Sequence, residues 1–91
     1  MLTAHFSMQL NRRFGLYSDD MTEKKILMAV SKHEVTFLYK DKNCVTFRTK
    51  ALGPEMIVTM STKNGAFVTC DLPVNIHKHN KSQEAINGRA R

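Results

Sequence analysis

Apolar residues near the start of the chain recur with the period of an α-helix. Three of them fall on one side of such a helix, at i, i+4 and i+8: Phe6, Leu10 and Phe14. Thr3 can cap a helix that begins at Ala4, because its hydroxyl can accept a free amide proton of the first turn. Gly15 supplies the left-handed residue that commonly ends a helix. The pattern therefore predicts a first helix between these two signals.

A second helical pattern runs from about residue 20 to about residue 32. Asp19 or Asp20 can cap its first turn, while Lys32 and His33 suit the negative end of the helix dipole. Its apolar positions are Met21, Ile26, Leu27, Met28 and Val30. The pattern predicts a second helix close behind the first.

The hydrophobic pattern then changes from a period of 3.6 to a period of 2, which is typical of β-strands. The first strand has two alternating sets of side chains, Val35, Phe37 and Tyr39 on one side and Thr36, Leu38 and Lys40 on the other. Three further strand patterns lie at 44–50, 56–61 and 66–72. Asn64-Gly65, between the last two, favours a two-residue hairpin turn.

The order of elements is two helices followed by four strands that are joined by short turns. Such a run predicts an α+β fold, with the two N-terminal helices packed on one face of a four-stranded antiparallel sheet. Residues 1–73 form this single domain. Residues 74–91 contain few large apolar side chains, and we expect them to be a disordered basic tail.

The composition adds an excess of positive charge to this picture. The 91 residues include 14 Lys and Arg against 8 Asp and Glu, a formal net charge of +6. A protein this small and basic favours an anionic partner, such as nucleic acid, an acidic protein or a membrane surface. The tail contributes a net charge of +3, which suits a phosphate backbone and equally suits a solvated terminus.

Cysteine usage and hydropathy exclude several other classes. Cys44 and Cys70 lack the spacing of a zinc site, and we expect free thiols within strands, with a disulfide open only if those strands are neighbours. This usage favours a cytoplasmic location. No segment approaches the ~20 apolar residues that cross a bilayer, so no membrane partner is expected. No metal ion or other cofactor is predicted.

A polar stripe runs beside the buried side of the first predicted helix. His5, Gln9 and Arg13 are spaced i, i+4 and i+8 along it. Histidine is the commonest general acid or base, and arginine binds phosphate through a fixed fork of donors. The stripe therefore fits the cleavage of a phosphodiester. It also fits the polar border of a helix that only packs against a sheet.

The predicted sheet supplies further candidates for contact with a phosphate backbone. Arg48 and Lys50 share one face of the second strand, and Thr69 and Asp71 share one face of the last. If the helices cover one face of the sheet, the other face can receive nucleic acid, although ordinary solvation explains the same residues. The predicted nucleic-acid-binding residues are Arg12, Arg48, Lys50, Lys78 and Lys81.

Two short motifs carry a resemblance to a known group of proteins. The first is TAHFSMQLNRRFGL, from Thr3 to Leu16, and the second is FVTCDLP, from Phe67 to Pro73. Together with the order of elements, they resemble the small ribonuclease-toxin superfamily that includes RelE-type toxins, colicin-type tRNases and barnase-like domains. Short members that are borne by phages or mobile elements look closest.

The resemblance implies a helical layer on a four-stranded antiparallel sheet and, in active members, cleavage of RNA at the 2′-hydroxyl without a metal. Carried over by position, His5 would be the acid or base and Arg13 the phosphate clamp. Thr69 would orient the phosphate or the histidine. The chain departs from the motif at Gln9, where an arginine is often found, and at Asp71, an additional acid that would repel a phosphate.

These patterns leave two functions open. The leading interpretation is a small basic RNA-binding protein that acts as a metal-independent endoribonuclease or is a toxin-like relative, and the alternative is a non-catalytic phage module that binds nucleic acid or a host protein. RNA is the leading partner, an antitoxin or a host protein is a further candidate, and the oligomeric state is left open. Convergence of His5, Arg13 and Thr69 with a lysine or arginine of the sheet in one cleft would favour the enzyme.

Overall fold

The computed structural model describes residues 1–75 and confirms the α+β fold class. Two helices, α1 (Ala4–Phe14) and α2 (Thr22–Ser31), precede the strands β1 (Thr36–Lys40), β2 (Cys44–Thr49), β3 (Met56–Ser61) and β4 (Phe67–Asp71). The four strands form one antiparallel sheet in the order β1-β2-β3-β4. A short 3-10 helix, Pro73–Asn75, includes the first two residues of the predicted tail. The remainder of that tail lies outside the described residues.

Helix α1 begins and ends as its sequence predicts. Thr3 Oγ1 accepts a hydrogen bond from the Phe6 amide at 3.0 Å, and Gly15 follows the last turn with a φ of +67°. Phe6 and Leu10 are buried, and Phe14 packs at the margin of the core. The apolar side of α1 therefore faces the sheet, where the helix packs mainly against β4.

Helix α2 is shorter than predicted, because Asp19 organises a turn before it. Asp19 Oδ1 accepts a hydrogen bond from the Met21 amide at 2.8 Å, and this bond is the main reason that the pKa of Asp19 is lowered. The helix begins only at Thr22. Ile26 is buried, whereas three other apolar positions predicted for this helix are largely exposed: Met21, Leu27 and Met28. Helix α2 thus contributes a narrow apolar stripe to the core.

An aromatic row joins α1 to the helix-side face of the sheet. The ring of Phe67 on β4 lies 6.3 Å from that of Phe6 and 6.4 Å from that of Phe47, centroid to centroid. All three rings are fully buried. The other buried members of this core are Leu10, Ile26, Val45, Met56, Val58 and Cys70. The core therefore lies between the two helices and one face of the sheet, as expected.

Strand β1 departs from the predicted alternation, because it contains a bulge. The register pairs Phe37 with Phe47, Tyr39 with Thr46 and Lys40 with Val45, with a shift between Phe37 and Tyr39. Phe47 and Val45 point into the core, so Phe37 and Lys40 lie on the helix-side face. Tyr39 lies on the opposite face. The prediction that Phe37 and Tyr39 share one side is therefore wrong.

The connection between β3 and β4 is longer than the turn predicted at Asn64-Gly65. The Gly65 amide donates to the Ser61 carbonyl oxygen at 2.9 Å, and β4 begins only at Phe67. Gly65 has a φ of +70°, but Asn64 does not adopt the positive φ that a type I′ turn needs at both central positions. The hairpin forms as predicted, with a different turn.

Cys44 and Cys70 are free thiols on opposite faces of the sheet. Cys70 faces the core opposite Val58, whereas Cys44 lies opposite Ser61 at the start of β2. Because β2 and β4 are separated by β3, the two sulfurs are not placed for a disulfide. Burial raises the pKa of the Cys70 thiol to about 11, so this group stays protonated at neutral pH.

Candidate nucleic-acid interface

Arg13, the predicted phosphate clamp, is engaged with the end of β4. Its Nη1 donates a hydrogen bond to the Cys70 carbonyl oxygen at 2.7 Å and lies 3.3 Å from Oδ1 of Asp71. The Asp71 side chain is only 7% exposed, and that of Arg13 is 31% exposed. The guanidinium therefore serves a backbone carbonyl and a buried carboxylate, which is a structural role.

Asp71 in turn anchors the chain where β4 ends. Its Oδ1 accepts hydrogen bonds from the Leu72 amide and from Asn75 Nδ2, each at 2.7 Å. These bonds fix the start of the 3-10 helix, and the ion pair with Arg13 fixes the last turn of α1 beside it. The acid that departs from the ribonuclease motif thus has an explanation in the fold.

Thr3 bonds to the outer edge of β4 at the start of the strand, and Arg13 bonds near its end. The Thr3 amide donates to the Phe67 carbonyl oxygen at 3.1 Å, and Thr3 Oγ1 donates to the Val68 carbonyl oxygen at 2.9 Å. With Arg13 at the far end, α1 and the residues before it satisfy backbone groups along the outer edge of β4. Such cover protects an edge strand from unwanted pairing. The polar stripe is thus, at least in part, the border of a packed helix.

His5 and Gln9, the other members of the stripe, differ in exposure. His5 is exposed in the first turn of α1, whereas Gln9 is 6% exposed. Oε1 of Gln9 is buried and has no hydrogen-bond partner among the described residues. A rise of 1.5 Å per residue places His5 and Arg13 about 12 Å apart along the helix axis. The predicted acid or base and the predicted clamp thus stand near opposite ends of α1.

Thr69 belongs to a row of hydroxyl groups on the face of the sheet away from the helices. The register places four side chains in line across the strands: Tyr39, Thr46, Thr59 and Thr69. Burial raises the pKa of Tyr39, the Thr46 hydroxyl opposes this in part, and the charge of Asp71 adds to the rise. Tyr39 is therefore a protonated phenol at neutral pH and is unsuited to act as a base. Thr69 and Asp71 share this face, as predicted.

Arg48 and Lys50 lie in a surface of mixed charge. They border a depression of about 290 Å³ whose lining also includes Glu34 and Glu55. Arg48 Nε lies 3.4 Å from Glu55 Oε1, and both side chains are partly exposed. Two acids offset two bases there, so the depression is a weak site for phosphate. Arg12 is exposed on the last turn of α1. Two other predicted binding residues lie outside the described residues: Lys78 and Lys81.

The sheet brings together three lysines that sequence reasoning did not single out. The β1–β2 and β3–β4 turns lie side by side, because the Thr62 amide donates to the Asn43 carbonyl oxygen at 2.8 Å. Thr62 Oγ1 also donates to the Lys42 carbonyl oxygen at 3.1 Å. We call the three exposed lysines of this region the lysine end of the sheet: Lys40, Lys42 and Lys63. Alternate turns of an antiparallel meander lie at the same end of the sheet. The predicted strand order could therefore have indicated that the lysines of these two turns lie near each other.

Residues 1–75 contain neither a candidate metal site nor a candidate membrane-spanning helix. In this range no group of three or more His, Cys, Asp and Glu side chains is arranged to hold a metal ion. No helix of the described range has the length and apolar character needed to cross a bilayer.

Comparison with known proteins adds no relative to this picture. No family model, no curated protein and no solved structure matches the chain. The resemblance to ribonuclease toxins consequently rests on its two short motifs and the order of elements. The candidate interface is defined by the geometry of the described residues, above all by the lysine end of the sheet.

Proposed function

We propose that the chain is a small basic RNA-binding protein that holds RNA at the lysine end of the sheet. The observation that carries the proposal is the bonding between the two turns, which places Lys40, Lys42 and Lys63 in one region. Of the 14 basic and 8 acidic residues, ten and seven lie within 1–75, so this range keeps a net charge of +3. Clustered lysines bind phosphates with release of counterions. The choice of RNA follows from the motif resemblance.

Asp41, the acidic residue between Lys40 and Lys42, accepts hydrogen bonds from the backbone. Asp41 Oδ1 accepts hydrogen bonds from the Asn43 and Cys44 amides, each at 2.7 Å, and so stabilises the β1–β2 turn. Lys40, Lys42 and Lys63 are all exposed, so their ammonium groups can reach the phosphates of a bound strand.

The contacts of Arg13 favour binding without cleavage. Its guanidinium is held by Asp71 and the Cys70 carbonyl oxygen, and His5 stands about 12 Å away along α1. A general acid or base and a phosphate clamp must reach the same phosphodiester. The alternative, a metal-independent endoribonuclease with His5 as acid or base and Arg13 as clamp, has the motif resemblance and the shared side of α1 in its favour.

Replacing Lys40, Lys42 and Lys63 together by glutamine is expected to weaken RNA binding and reduce its salt dependence. The slope of log K against log salt concentration should fall by about 2, because each lost contact with a single-stranded phosphate removes about 0.7. Fluorescence anisotropy of a labelled RNA across a salt series measures the affinity and its salt dependence. The control replaces Lys24, Lys25 and Lys32 by glutamine, which removes the same charge. Equal losses in both variants would refute the lysine end as the binding region.

We expect RNA to remain intact when it is incubated with the pure protein, with or without magnesium. The reason is that Arg13, the predicted phosphate clamp, is held by Asp71 and the Cys70 carbonyl oxygen, about 12 Å from His5 along α1. Gel analysis of a labelled RNA, incubated either with the wild type or with His5→Ala, measures whether the RNA is cleaved. Cleavage by the wild type that disappears in His5→Ala would establish the endoribonuclease and overturn the non-catalytic proposal.

A further inference from the structure

Strand β1 carries an exposed aromatic ring close to the lysine end of the sheet. Phe37 is 59% exposed, in contrast to the buried rings of the core. Its ring meets that of Phe47 edge-on, with centroids 5.9 Å apart and an interplanar angle of 63°. The core thus supports the ring on one side and leaves it open on the other. Such a ring is a platform that needs little ordering before it binds a planar group.

Phe37 borders a groove at the outer edge of the sheet. The groove has a volume of about 320 Å³ and is lined by Phe37, Leu38, Tyr39, Lys40 and Val45. This volume lies at the lower end of the range for small-molecule sites. Because of the bulge in β1, Lys40 lies on the same face as Phe37. The groove therefore combines an aromatic ring and a cation, and it has no acid in its lining.

We propose that this groove binds an unpaired base of single-stranded RNA, stacked on Phe37, with the adjoining phosphates at Lys40 and Lys42. The inference rests on the proposed RNA-binding function and specifies its substrate class. An aromatic platform beside a positively charged track suits single strands, because every base has a π face and every nucleotide has a phosphate. A duplex keeps its bases stacked inside, so it reaches the lysines without reaching Phe37.

The same edge of the sheet is poorly suited to an added protein strand. Among the described residues nothing pairs with the outer side of β1, so a peptide or a second copy of the chain is the competing occupant. Bulges and charged residues are the features that protect an edge strand from such pairing. Strand β1 has both: a bulge between Phe37 and Tyr39, and the charged residue Lys40. Lys40 and Lys42, which are exposed beside this edge, favour nucleic acid instead.

The test compares Phe37→Leu with Tyr17→Leu in RNA binding. Leucine keeps apolar volume and removes the π face, while Tyr17 is 82% exposed and lies outside the groove. We expect Phe37→Leu to weaken binding of a labelled oligouridine by about 5- to 150-fold, the range expected for one lost base stack. The salt dependence of its binding should be the same as in the wild type, because no charge is removed. Its affinity for an RNA duplex should stay within about twofold of the wild type. Tyr17→Leu should leave the affinity for oligouridine and the affinity for the duplex unchanged.

A second variant gives a direct signal from the groove. The chain has no tryptophan, so Phe37→Trp introduces a single reporter and keeps an aromatic face. We expect oligouridine to quench its fluorescence and the duplex to leave the emission unchanged. This measurement also decides the question if Phe37→Leu does not fold, which circular dichroism will show.

Three results would contradict the proposal, and each has a different meaning. Oligouridine binding that is unchanged in Phe37→Leu, with no quenching of Phe37→Trp, overturns the groove and leaves the RNA-binding function standing. Failure of the wild type to bind any RNA overturns the proposed function itself. A dimer that sedimentation detects in the wild type and not in Phe37→Leu, with RNA affinity unchanged, would assign the groove to a second copy of the chain.

Discussion

Replacing Phe67 by alanine is expected to lower the free energy of unfolding by about 3–5 kcal/mol. Phe67 is fully buried and its ring packs between those of Phe6 and Phe47, so truncation leaves a cavity at the junction of α1 with the sheet. A domain of this size has a total stability of roughly 5–14 kcal/mol. The loss is therefore a large part of the total, and urea titration followed by circular dichroism will measure it.

Tyr17→Ala is the matched control for this loss of an aromatic ring. Tyr17 is 82% exposed, so its truncation should change the free energy of unfolding by about 0.5 kcal/mol or less. A comparable loss in both variants would show that the aromatic row is not the centre of the core. A small loss in Phe67→Ala alone would mean that the helices collapse readily onto the vacated space.

Replacing Arg13 by methionine is expected to destabilise the protein by about 2 kcal/mol. The buried Asp71 carboxylate loses the Arg13 guanidinium, and the Cys70 carbonyl oxygen loses a donor at 2.7 Å. Methionine retains much of the aliphatic packing. Partial exposure of Arg13 lets water replace part of the lost interaction, so the effect stays below that of breaking a fully buried ion pair. Thermal and urea unfolding both report this change.

Arg12→Met separates the structural role of Arg13 from a general effect of charge. Arg12 is the exposed neighbour on the same helical turn, and its replacement should change stability by no more than about 0.5 kcal/mol. Where Arg13→Met is folded, we expect it to bind RNA within about threefold of the wild type, since its guanidinium serves the fold. A folded Arg13→Met protein that no longer binds RNA would restore Arg13 as a phosphate clamp.

The polar stripe of α1 shows how one pattern can serve two explanations. Its spacing fits a catalytic face, and its contacts in the fold fit a border that closes the edge of β4. The decisive observation is the partner of Arg13, because a guanidinium that neutralises a buried carboxylate is costly to withdraw. The lysine end and the β1 groove, which the stripe does not include, therefore carry the proposed function.

Local patterns in the sequence determined the helices, the strands and their order. Helix α1 is bounded by Thr3 and Gly15 because a hydroxyl cap and a left-handed glycine act on the backbone within a few residues. The change of hydrophobic period predicted the four strands, since each strand must turn alternate side chains toward the core. Charge and cysteine usage likewise depend on composition alone.

Only the tertiary structure decided which side chains meet. Arg13 and the Cys70 carbonyl oxygen are 57 positions apart in sequence, and no local spacing indicates their contact. The bulge in β1 moved Lys40 to the face of Phe37, because one additional residue in a strand reverses the alternation beyond it. The lysine end exists because strand pairing brings two turns together that are distant in sequence. The candidate interface is therefore a product of register and pairing, which depend on the packing of the whole core.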